Sequence, residues 1–182
     1  MSILEWFGLS RSNAETGDDR AFETGDKIDT VRKIVEELEY LGEERARYIA
    51  SFAYILGRVA NADMEISEEE TRAMERVVVE NGGIPKEQAV IVVHMARTHN
   101  QLFGHTENYL ITRDFDQTAT HEQKLALLDC LLAVSASDDS ISSEESAEVR
   151  KIADELHLSQ RDFVSARSRY REYLDVLKNK DD

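Results

Sequence analysis

The sequence is short of cysteine, proline and basic residues, and each shortage narrows what the protein can be. Its 182 residues include one cysteine, so no disulfide can form within the chain. The 22 lysines and arginines face 37 aspartates and glutamates, giving a formal net charge of −15. This excess argues against binding to nucleic acid or anionic lipid, because both depend on basic side chains. Cations and basic protein surfaces are the expected partners.

Long apolar segments are missing as well. The first residues, Met1–Phe7, lack the basic start and long apolar core of a secretion signal, and no later run approaches membrane-spanning length. Cys130 lies in a short apolar run, which predicts a buried and unreactive thiol. We therefore expect a cytoplasmic protein with no membrane span.

The chain does contain apolar residues at helical spacing along most of its length. This pattern predicts an all-α fold, a compact bundle of about eight helices over 26–41, 43–61, 67–81, 85–103, 109–115 and 120–136, from Ser142, and from Ser159 to about Leu177. The run Ala89–Val93 would also suit a buried strand, but no second strand is available to pair with it. We expect a flexible segment over 1–25, one helical domain over 26–177 and a frayed tail over 178–182.

An internal repeat relates the two halves of the chain, about 43–103 and 120–177. Moving the sequence along itself by 75 residues aligns the pattern Asp-x-x-Ile-Ser-x-x-Glu at 63–70 with the same pattern at 138–145. Beyond Glu80 and Glu155 the register slips by one residue. Chance rarely repeats loop positions and apolar helix faces together, so we predict a pseudo-two-fold duplication of a helix–acidic loop–helix unit.

The two repeated loops are rich in carboxylates. Residues 63–70 contain five acidic residues and residues 138–145 contain four, and their spacing matches the second half of a calcium-binding EF-hand loop. The first half is missing, because Val59 and Val134 stand where the opening ligand would be, so a true EF-hand is excluded. A small, oxygen-rich cation site is one interpretation.

Helix capping is the other interpretation of the same residues. Ser67 with Glu70, and Ser142 with Glu145, fit the capping box, in which the two side chains bond the free backbone N–H groups at a helix start. Capping leaves Asp63 and Asp138 without a role. Cation binding and capping therefore both stay open from the residues alone.

The stretches 60–70 and 128–167 resemble the tellurite-resistance TerB-like family. That family has an Ala-x-Ala-Asp-Gly-x-Ile-x-x-x-Glu loop between helices, in two pseudo-symmetric copies; here Met64 and Asp139 stand at the glycine position. The resemblance covers about Asp26 to Leu177 and implies an all-helical, cytoplasmic bacterial protein whose acidic loops hold a divalent metal, with calcium the expected ion. By motif position, the implied metal ligands are Asp63, Glu65, Glu70, Asp138, Ser140 and Glu145.

The favoured function is a cation-binding scaffold of a stress-response system, and not an enzyme. The chain has no Gly-rich phosphate loop and no nucleophile elbow, and its histidines lack the spacing of a helical zinc site. The resemblance implies protein partners, including a membrane-associated complex. The alternative is a metal-free acidic protein–protein interaction domain, whose loops bind a basic partner directly. The sequence does not indicate an oligomeric state.

Overall fold

A computed structural model of the chain describes residues 38, 40–60, 68–97, 108–137 and 139–174. Within these ranges the chain forms seven α-helices and one 3₁₀ helix and no β-strand, so the predicted all-α class is confirmed. None of these helices is long and apolar enough to cross a membrane. The helices are α1 (Glu43–Val59), α2 (Glu68–Glu80), α3 (Lys86–Arg97), α4 (Asn108–Thr118), α5 (His121–Ser135), α6 (Ser143–Glu155) and α7 (Gln160–Ser168), followed by the 3₁₀ helix Arg171–Tyr173.

The seven helices match seven of the eight predicted from the sequence. The eighth, over 26–41, lies almost entirely outside the described residues, as do the expected flexible segment 1–25 and tail 178–182. The run Ala89–Val93 is helical, as predicted, and only Val90 in it is exposed.

The predicted length of the last helix is wrong. Instead of continuing to about Leu177, α7 ends at Ser168, and the chain turns through Arg169 and Tyr170 into the 3₁₀ helix. Leu174 then forms an isolated parallel β-bridge with Ile141 in the second acidic loop. The helix stops because this tertiary pairing, which helical periodicity does not reveal, requires an extended backbone at Leu174.

Helix α1 is the centre of the bundle. It packs against α3, α4, α5 and α6, and it is buried on nearly all sides because small residues such as Ala46, Ala50 and Ala53 allow neighbouring helices to approach closely. Phe115 of α4 packs on this helix beside Tyr48 and Phe52, with ring centroids 5.4 and 6.4 Å away. Helix α1 therefore holds both repeat halves around one core.

The helix bounds have the offsets that the repeat predicts. Helices α2 and α6 are 75 residues apart at both ends, whereas α3 and α7 start 74 residues apart. The difference arises because the turn 81–85 is one residue longer than the turn 156–159. Each turn contains a left-handed residue, Gly83 at φ 63° and His157 at φ 54°. The duplication itself stays a prediction.

Candidate functional site in the second acidic loop

Two of the six predicted ligands have a described side chain. Asp63, Glu65 and Asp138 lie outside the described residues; Glu70 belongs to α2, but its side chain is not described. Ser140 and Glu145 are both described, and both are half-buried in the second loop. The structure therefore places part of the second site, and the predicted first site lies outside the side chains it describes.

Ser142 and Glu145 form the predicted capping box at the start of α6. The Glu145 backbone N–H donates to the Ser142 hydroxyl at 3.1 Å, and the Ser142 backbone N–H donates to Oε2 of Glu145 at 2.9 Å. The capping interpretation of these two residues is thus confirmed. It accounts for Oε2 of Glu145 and leaves the question of what Oε1 can bind.

The loop makes a tight turn at Asp139. This residue has φ 61°, in the left-handed region, at the position where the TerB-like pattern has glycine. Aspartate tolerates this region better than most side chains do, at a cost of about 1–2 kcal/mol. The Asp139 N–H donates to the carbonyl of Ala136 at 3.1 Å, which closes the turn after α5. The loop therefore has the glycine-type backbone without the glycine.

Ile141 anchors the loop to the core, as its inward-facing position predicts. Its side chain is fully buried, and its backbone N–H donates to the carbonyl of Tyr173 at 2.5 Å. The bridge to Leu174 follows from this pairing. The turn at Asp139, the anchor at Ile141 and the cap at Ser142 together fix the backbone of the loop from 139 to 145.

The donor chemistry of this loop suits a hard divalent cation. A carboxylate has two oxygens and about four lone-pair positions, so the capping bond at Oε2 leaves Oε1 of Glu145 available. The Ser140 hydroxyl supplies a neutral oxygen, and calcium prefers oxygen ligands of this kind. Among the residues that the structure describes, no group of three or more His, Cys, Asp or Glu side chains forms a metal site. Asp138 would have to complete the set.

Arg58 joins the last turn of α1, which leads towards the first loop, to α6, which follows the second. Its side chain is 2% exposed. The guanidinium donates to Glu148 at 2.6 Å, to Glu155 at 2.6 Å and to the Thr112 hydroxyl at 2.9 Å. Burial lowers the pKa of Arg58, but the hydrogen bonds and charges of Glu155 and Glu148 outweigh it and raise the pKa overall. The helices next to the two acidic loops are therefore held by one buried cation.

Sequence reasoning did not identify Arg58 or its partners. The available signal was one arginine inside the apolar stretch Ile55–Ala60, whereas the two glutamates lie about 90 residues away on a helix rich in acidic residues. Which carboxylates face the guanidinium depends on how α6 packs on α1. Cys130 is fully buried and burial raises the pKa of its thiol, as expected of an unreactive cysteine.

Two further polar clusters tie the helix ends together. Asp129 of α5 accepts from the Asn81 amide at 2.8 Å and from the Tyr170 hydroxyl at 3.1 Å. Asp116 of α4 accepts from Lys124 at 2.6 Å and from the His157 ring at 2.9 Å. Burial raises the pKa of Asp116, but the hydrogen bonds and charges of Lys124 and His157 lower it overall, so this carboxylate is ionised.

Comparison with known proteins gives one match. The family model described as "Tellurite resistance protein TerB" matches residues 48–168, a span that includes both acidic loops. No curated protein sequence and no solved structure gives a significant match.

Proposed function

The chain belongs to the TerB family and is a tellurite-resistance-related module, and from this premise we propose that it binds a divalent cation, calcium, and uses it to present a surface to protein partners. In this proposal it is a non-catalytic cytoplasmic scaffold of a stress response, with partners that include a membrane-associated complex. The residues that would hold the ions are Asp63, Glu65 and Glu70 in the first loop and Asp138, Ser140 and Glu145 in the second.

The turn at Asp139 is the observation that carries this proposal. A left-handed aspartate is costly, and here it occurs where the family pattern has glycine, directly beside Asp138 and before Ser140. The fixed backbone on both sides of Ser140 keeps the loop in one shape, which reduces the ordering cost of binding. Capping alone requires Ser142 and Glu145 and gives no reason for the turn.

The ion would act through charge and geometry. Each loop concentrates carboxylates that repel one another, and a bound divalent cation removes that repulsion and fixes the angle between the flanking helices. Because each site has few protein ligands, with backbone carbonyls and water completing the shell, we expect weak binding with Kd on the order of 10⁻⁴–10⁻³ M.

The alternative is a metal-free module whose acidic loops bind a basic partner directly. The capping bond favours it, since one oxygen of Glu145 is already occupied by the Ser142 backbone. The two functions differ in how chelation acts. Partner capture by the metal-free module survives chelator and weakens steeply with added salt, whereas capture by the ion-dependent scaffold is lost in chelator.

Calcium titration of chelator-treated protein, followed by calorimetry, tests the proposal. We expect a saturable heat at millimolar calcium in the wild type and its loss in the double variant D63N/D138N, which leaves both capping boxes intact. The matched control is E87Q/E172Q, which changes the net charge equally at exposed positions on α3 and the 3₁₀ helix. No heat in the wild type would refute ion binding, and an equal loss in the control would reduce it to a general attraction of cations.

A further inference from the structure

A surface groove of about 610 Å³ lies between α4 and α6. Three basic side chains line it: Arg113 from α4, and Arg150 and Lys151 from α6. His157, just beyond α6, is a fourth lining residue that can carry positive charge. This gathering stands out in a chain whose formal net charge is −15.

The carboxylates in the lining are already bound to cations of the fold. Asp116 accepts hydrogen bonds from Lys124 and His157, and Glu155 accepts from the buried Arg58. Asp154 has a weaker, exposed contact with Arg150 at 3.6 Å. Because internal pairs neutralise most of the negative charge, these acidic residues do not cancel the remaining basic ones.

Arg113 and Lys151 are the remaining basic residues. Both side chains are exposed, and neither has a hydrogen-bond or ion-pair partner within the described parts of the chain. One comes from each wall of the groove, so an anionic ligand between the walls can pair with both. Such a ligand gains two charge-assisted contacts without breaking any internal ion pair.

From this arrangement we propose that the groove between α4 and α6 binds an acidic segment of a partner protein, whose carboxylates pair with Arg113 and Lys151. The rest of the lining favours a peptide over a small phosphate. Gln117 can bond a peptide backbone, and Tyr109, 63% exposed, offers an aromatic ring of the kind enriched in protein interfaces. A doubly charged phosphate in the same place would be repelled by Asp154.

Fluorescence anisotropy with a fluorescein-labelled peptide of six glutamates tests this inference, using the full chain in the presence of chelator. Working in chelator makes the result independent of calcium, so this test and the calcium titration fail separately. We expect R113Q/K151Q to weaken peptide binding by about tenfold, as the loss of two exposed ion pairs implies. The charge-retaining variant R113K/K151R should bind within about threefold of the wild type.

The control R161Q/R171Q removes two exposed basic residues elsewhere, with the same change in net charge. It should bind the peptide as the wild type does, and an equal loss there would overturn the proposal. Absence of binding by the wild type at millimolar peptide would overturn it too. Displacement by inorganic phosphate, where sodium chloride of equal ionic strength has no effect, would make this a small-anion site. A dimeric mass in light scattering that R113Q/K151Q abolishes would make the occupant a second copy.

Discussion

Replacement of Arg58 by methionine should destabilise the protein severely. The arginine side chain is 2% exposed and holds Glu155 and Glu148, which are 16% and 31% exposed. Without it, two carboxylates face the same poorly solvated space with no cation between them. Removing one partner of a buried ion pair costs about 3–5 kcal/mol. Partial exposure of Glu148 screens the remaining charge, which favours the lower end, about 3 kcal/mol.

This loss is large against the ~5–15 kcal/mol by which most domains are stable. For a chain of this length it corresponds to a fall in Tm of about 6–12 °C. Urea unfolding followed by circular dichroism measures the free energy directly. The matched control is R72M, which removes a 70% exposed arginine from its contact with Glu68 on α2 and should change stability by less than about 0.5 kcal/mol.

A second variant separates the charge effect from lost packing. In R58M/E148Q/E155Q the carboxylates are neutral, and we expect most of the lost stability to return, because buried ion pairs can be replaced by neutral groups at little cost. If R58M unfolds within about 1 kcal/mol of the wild type, or if the triple variant is no more stable than R58M, the unpaired charges are not what destabilises the fold.

Three further predictions concern single positions. D139G should be about 1 kcal/mol more stable than D139A, because both lack the carboxylate and only alanine strains the left-handed backbone; equal urea midpoints would contradict the backbone argument. G82A should lose about 1–3 kcal/mol by the same assay, since its Cβ would lie 2.8 Å from a Phe52 ring atom, and a neutral result would mean that the ring moves away freely. Burial and the neighbouring Asp129 raise the pKa of Tyr170 to about 12, so its contribution to stability is complete below pH 10 and is lost as pH rises through 12. After solvent screening this amounts to about 1 kcal/mol, and Y170F should remove that pH-dependent decline; an unchanged decline would assign it to other groups.

Local signals in the sequence predicted most of the helices and their starts. Thr120 with Gln123 and Ser142 with Glu145 form the expected capping boxes, because a cap depends only on residues three positions apart. Ser159 caps α7 in the same way with Asp162, a pattern that was equally readable. Periodicity placed Ala89–Val93 in a helix, and the absence of a partner strand was sufficient to decide it.

The same local character explains what the sequence could not give. Leu174 leaves the helix because it pairs with Ile141, more than thirty residues earlier, and no spacing rule contains that contact. Aspartate at position 139 departs from the family pattern, yet its backbone keeps the left-handed turn, a conformation that the residue name alone does not specify.

The sequence by itself determined the all-α class, the acidic loops, the capping residues and the resemblance that the family match confirms. Each depends on composition or on residues close together in the chain. Only the tertiary structure decided that Arg58 binds Glu148 and Glu155, and that Arg113 and Lys151 stay unpaired beside carboxylates already neutralised by other cations. Charge pairing across helices depends on how they pack, and a guanidinium among many candidate glutamates has no preferred partner until the fold brings one within reach.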